Sequence, residues 1–82
     1  LGETKARDRT GIESLSDREL EVFMLLGEGK STTHVADALR ISPKTVDVHK
    51  MNMRTKLVLE DGAAVTRMAI QWTEARRHGG GA

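Results

Sequence analysis

The stretch Ser31–Leu57, STTHVADALRISPKTVDVHKMNMRTKL, decides the fold. It carries two helix starts separated by a short turn. Ser31 is an N-cap for a helix over about Thr32–Leu39, where Val35, Ala36 and Leu39 share one face. That helix is short and has to lean on its neighbours. Arg40-Ile41 form a brief turn. Ser42 is a second N-cap, and Pro43 takes the first helical position, where its missing N–H costs nothing. In the helix that follows, Val46, His49, Met53 and Leu57 form the inward set. Lys44, Asp47, Val48, Met51 and Arg54 then turn outward.

Working outward, Ser16 and Glu19 have the spacing of a capping box, and Asp17, Glu19 and Glu21 suit the positive end of a helix dipole. Leu20, Val22, Phe23, Met24, Leu25 and Leu26 give that first helix a wide apolar face. Gly27 and Gly29 stop it, Gly29 as a left-handed C-cap. On the other side, Asp61 can cap a last helix over about Gly62–Arg76, with Val65, Met68, Ala69 and Trp72 as its stripe. The expected fold is all-α, four helices, with a helix-turn-helix at its centre. Residues 1–14 (LGETKARDRTGIES) read as a flexible linker, 15–77 as the domain and 78–82 (HGGGA) as a flexible tail. A linker with nothing before it suggests a piece of a longer protein.

Composition agrees. The chain has 82 residues, enough for one modest core and too few for a catalytic domain plus a second unit. Phe23 and Trp72 are its two aromatics, so the core is aliphatic, which suits packed helices. With no cysteine, a disulfide framework and Cys-ligated zinc are excluded, and a cytosolic address fits. No apolar run approaches the roughly 20 residues that span a bilayer, and the charged N-terminus is unlike a signal peptide.

The net charge of +1 hides an uneven distribution. Arg40–Leu57 holds five cations (Arg40, Lys44, Lys50, Arg54, Lys56) against one anion, Asp47. Leu1–Glu21 holds six anions against four cations. A basic face on one helix is the footprint of a polyanion partner, although charge alone fits a solvated face equally well. An interaction helix with no DNA role is the alternative. It would show apolar anchors at i, i+3 and i+7, whereas this face is mixed. No phosphate loop, nucleophile–base pair or metal-ligand spacing points to an enzyme, a cofactor or a metal. His49 reads as a packed histidine with a structural hydrogen bond, and Arg18 and Glu19 as a structural ion pair or cap.

Across LSDRELEVFMLLGEGKSTTHVADALRISPKTVDVHKMNMRTKL the chain resembles the LuxR/NarL/FixJ family of bacterial transcription regulators. Leu15, Arg18, Glu19, Val22, Gly29, Val35, Ala36, Leu39, Ile41, Ser42, Thr45, Val46, His49, Met53, Lys56 and Leu57 follow its pattern in order and spacing. The resemblance covers about Leu15–Ile70. It implies a four-helix domain whose third helix lies in the major groove of double-stranded DNA. It also implies a last helix that pairs two copies on DNA, and a place at the C-terminus of a response regulator or a ligand-sensing regulator. The leader then looks like the linker after a phosphorylatable receiver, which masks the reading helix or the dimer face until phosphorylated.

On that basis Asp47, Val48 and Met51 are expected to read bases. Ser31, Thr32, Lys44, Thr45, Lys50 and Arg54 are expected to hold phosphates, with plain capping or helix back-bonding as the alternative for Ser31, Thr32 and Thr45. Val65, Met68, Ala69 and Trp72 are expected at a dimer seam, Trp72 with the best claim to a partner surface. RNA polymerase is a further expected partner, and the bacterial cytoplasm, at the nucleoid, the expected place. Two departures stand out. Asp47 replaces the Lys or Arg of many members, and near phosphates an acid has to accept from a base edge such as a cytosine amino group. Met51 replaces a cation or polar residue and suits a thymine methyl.

Overall fold

The computed structural model describes residues 11–81. A 3-10 turn, Gly11–Ser14, leads into four helices: α1 (Asp17–Gly27), α2 (Thr32–Leu39), α3 (Pro43–Lys56) and α4 (Gly62–Gly81). The linker expected over 1–14 is therefore structured at its end, where Ile12 packs against the core. The helix expected to stop near Arg76 continues its backbone through residue 81. Residues 1–10 and 82 of the expected linker and tail lie outside the described residues.

Each start has the anticipated chemistry. The Ser16 hydroxyl accepts from the Glu19 amide at 3.1 Å, and the Ser16 amide donates to the Glu19 carboxylate at 2.9 Å, a complete capping box. Ser31 accepts from the His34 amide, Ser42 from the Thr45 amide and Asp61 from the Ala64 amide. Three residues, Arg40–Ser42, turn the chain from α2 into α3. Arg40 sits in the left-handed region at φ 59°, and the Ile41 amide donates back to the Ala36 carbonyl at 3.0 Å.

The core takes Val22, Phe23 and Leu26 from α1, Val35 and Ala36 from α2, Val46 and Met53 from α3, and Val65 and Ala69 from α4. All nine are at most 2% exposed. Of the inward set on α3, Val46 and Met53 are fully buried, while His49 and Leu57 are half-buried. The apolar face of α1 divides similarly: Met24 is 44% exposed and lies outside the core.

Gly27 has a different role from the helix stop expected of it. It is the last residue of α1, Glu28 is the C-cap, and Gly29 takes the left-handed turn at φ 87°. A Cβ on Gly27 would overlap the Thr73 hydroxyl and come within 2.6 Å of the Ala69 carbonyl oxygen. Glycine here lets the end of α1 meet the backbone of α4. The other fixed point is electrical. Glu19, 5% exposed, receives the Lys56 ammonium at 2.7 Å and ties the start of α1 to the end of α3. Burial pushes its carboxyl up, but the Lys56 hydrogen bond and charge and the Ser16 hydrogen bonds outweigh that and hold it below its ordinary value. Of the two readings of Arg18 and Glu19, the cap holds for Glu19, whose ion pair is with Lys56, while Arg18 pairs with Glu21 within α1 at 3.4 Å.

Two outcomes are expected. Gly27→Ala should destabilise the domain by about 1–3 kcal/mol in urea unfolding, because the new methyl meets the Ala69 backbone as well as the Thr73 hydroxyl, and the backbone cannot rotate out of the way; an unchanged midpoint would contradict the close crossing. A depressed carboxylate contributes stability above its unfolded value and loses it as pH falls. Stability should therefore drop as pH falls below about 4.5. Glu19→Gln, which keeps the cap and removes the charge, should be less stable at pH 7 and should show a shallower acid loss. Parallel profiles for the two proteins would remove Glu19 from the account.

Candidate nucleic-acid interface

Helix α3 buries Val46 and Met53 and little else, so most of its circumference is open. At 100° per residue, Lys44, Asp47, Val48, Met51 and Thr55 fall on the side opposite those two anchors. Lys44, Asp47, Val48 and Met51 were read outward from sequence, and Thr55 lies on the same side. Lys44, Asp47, Thr55 and Asn52 are exposed; Val48 is 51% and Met51 50% exposed. Two large apolar side chains thus stand in water beside an acid and a cation. Thr55 was missed although periodicity reaches it. Its hydroxyl donates to the Met51 carbonyl at 3.3 Å.

The expected phosphate contacts separate. Ser31 is exposed at the start of α2, with its hydroxyl 3.1 Å from His34 Nδ1, and Thr32 is half-buried beside it. Capping is the observed role of Ser31, whose hydroxyl accepts from the His34 amide. Thr45 Oγ1 lies 2.9 Å from the Ser42 hydroxyl, so Thr45 is part of the N-cap of α3. Lys44 is exposed. Lys50 is half-buried, with its Cε 3.7 Å from where a Gly62 Cβ would stand, so its stem lies along the start of α4.

Arg54 is a correction. It is half-buried rather than outward, and its Nη1 donates to the Leu59 carbonyl at 3.2 Å and to the Glu60 carbonyl at 3.5 Å. Its Nε is buried without a hydrogen-bond partner. With Lys56 held by Glu19, two of the five cations of Arg40–Leu57 serve the fold. Arg40, Lys44 and Lys50 remain for a polyanion. Arg40, counted among the cations and read as part of the turn, is exposed in the left-handed conformation.

The expected dimer stripe also divides. Val65 and Ala69 are 0% exposed and belong to the core, so neither has surface to offer a partner. Trp72 is half-buried. Its ring meets Phe23 edge-on at 5.5 Å, and the Arg76 guanidinium lies 4.7 Å over it. Its main contacts are therefore within the fold. Met68 keeps an open edge, beside a shallow hollow lined by Val58, Leu59, Ala64, Arg67 and Gln71. Ile70, 41% exposed on another flank of α4, was not anticipated.

His49 departs from its expected role in one respect: it is packed, but Nδ1 is buried without a hydrogen-bond partner. Among the described residues no group of three His, Cys, Asp or Glu is placed to hold a metal ion, and no helix is long and apolar enough to cross a membrane.

The pattern of the bacterial regulatory proteins of the luxR family matches residues 13–69. The response regulator UvrY of Escherichia coli is 33% identical over 58 residues, which is 71% of this chain and 27% of UvrY. The uncharacterized response regulatory protein YgeK of E. coli is 33% identical over 57 residues, 70% of this chain and 39% of YgeK. The putative positive transcription regulator of virulence factors BvgA, of Bordetella pertussis, is 40% identical over 57 residues, 70% of this chain and 27% of BvgA. The matched part is thus well under half of each relative's length. No solved structure matches. Open third helix, short turn and family pattern coincide, and the chain belongs to the luxR family of bacterial regulatory proteins as a helix-turn-helix DNA-binding domain.

Proposed function

We propose that the domain is the output domain of a two-component response regulator and sets α3 into the major groove of its operator. The carrying observation is the α3 face, where half-exposed Val48 and Met51 share one side with exposed Lys44 and Asp47. Asp47, Val48 and Met51 read bases: the carboxylate accepts from an amino group, and the two apolar tips meet thymine methyls. Lys44 and Lys50 neutralise phosphates on either side, and the open amides of α2 behind Ser31 and Thr32 hold another. Thr45 contributes through the α3 cap. The named response regulators among the relatives support the two-component setting. In that setting the domain works in the bacterial cytoplasm, at the nucleoid, and RNA polymerase is the downstream partner.

Two copies bind together on DNA, with α4 between them. Since Val65 and Ala69 are core and Trp72 is braced by Phe23 and Arg76, the contact falls to the Met68 edge. A contact made by one helix is well below the roughly 1,600 Å² of a standard interface. The free domain is then a monomer in dilute solution, and DNA supplies the second constraint. A two-fold pair meets half-sites about one helical turn apart.

Three outcomes follow. Affinity for duplex DNA should fall linearly with log salt, and Lys50→Ala should weaken all duplexes alike and reduce the slope by about 1. Val48→Ala or Met51→Ala should instead relax preference at one base position, by about 1–3 kcal/mol. A salt-independent affinity, or a Lys50→Ala variant with a reordered site preference, contradicts the assignment of faces. For the pair, Met68→Glu should leave binding to one half-site unchanged and lower cooperative binding to a double site. Equal losses on both would place the seam elsewhere.

A further inference from the structure

The turn between α3 and α4 is strained and clamped at once. Val58 lies in the left-handed region at φ 55° and is 88% exposed. A β-branched side chain is costly there, and with so little contact its packing offsets none of that cost. The backbone closes the turn through the Val58 amide to the Thr55 carbonyl and the Leu59 amide to the Arg54 carbonyl at 2.9 Å. Arg54 closes it a second time from its side chain, with Nη1 donating to the Leu59 and Glu60 carbonyls. Those carbonyls immediately precede Asp61, the cap of α4. The first residue of α4, Gly62, carries the stem of Lys50.

We propose that Arg54 is a positioning residue for DNA binding: by clamping the strained turn at Val58 it sets the start of α4, and through it Lys50, against the reading helix. The inference rests on the DNA-reading role of α3, and it replaces a phosphate contact by Arg54 with an internal one. A phosphate contact needs a charge on an open side chain. The clamp needs a donor that reaches two carbonyls. It also couples Arg54 to Val58, a coupling with no place in a phosphate contact.

The test measures half-site duplex affinity together with hydrogen exchange of the amides at 59–66, using the whole domain. Arg54→Met should weaken half-site binding about tenfold, the scale of one or two net hydrogen bonds, and speed exchange at the turn before it affects α1. Arg54→Lys keeps the charge but stops one bond short of the carbonyls, so it should resemble Arg54→Met. Val58→Gly removes the strain; added to Arg54→Met it should restore most of the affinity and the slow exchange. By itself it should slow exchange at the turn, which keeps the test decisive if Arg54→Met fails to fold. Lysine at 54 binding like the parent, with no rescue by Val58→Gly, would overturn the proposal in favour of a phosphate contact. Parent-like affinity in every variant would overturn it too. If the parent itself fails to bind duplex DNA, the underlying reading of α3 fails instead, while exchange still reports whether Arg54 and Val58 are coupled.

Discussion

A single buried carboxylate joins the first turn of α1 to the last turn of α3. Glu19 accepts from the Ser16 amide and from Lys56, and among the described residues it is the one buried charged side chain. Its place follows from the poverty of α3 as a packing element. That helix buries only Val46 and Met53, seven residues apart on one line. Two anchors on one line leave a helix free to roll. The Arg40–Ser42 turn fixes one end, and the Glu19–Lys56 pair fixes the other. Breaking such a pair by removing one partner is costlier than never having had it, since a buried charge is left uncompensated. The cost of burying Glu19 is therefore spent on orientation, and orientation decides which residues of α3 face outward.

The same economy governs the cations. Five lie in Arg40–Leu57, but Lys56 is held by Glu19 and Arg54 by two carbonyls. The helix that carries the positive face also needs charge to hold itself in place. Counting lysines and arginines along a helix therefore overstates the charge offered to a polyanion. Lys44, Lys50 and Arg40 are what remains, around an apolar and acidic centre at Asp47, Val48 and Met51.

Much of this was legible in the sequence because caps and periodicity are local. Ser16, Ser31, Ser42 and Asp61 all cap as their positions imply, and Val46 and Met53 point inward as their spacing implies. Partners distant in sequence were not legible. Nothing near Glu19 announces Lys56, 37 residues on, and nothing near Gly27 announces the backbone of Ala69. The stripe on α4 shows the same limit. Period identifies Val65, Met68, Ala69 and Trp72 as one face, but only the packing of α1 on α4 decides that Val65 and Ala69 are covered and Met68 keeps an edge. Left-handed Val58 was invisible for a related reason: a β-branched residue carries no signal for that conformation, and the surrounding turn imposes it.

The open face of α3 is proposed as the surface that meets DNA. Amide chemical shifts followed by NMR while a duplex is titrated into the domain test it most directly. The largest changes should fall at Lys44, Asp47, Val48 and Met51, with a second group at Ser31–Thr33 and little change on the outer faces of α1 and α4. Changes concentrated around Met24 or Ile70, with α3 left undisturbed, would contradict it.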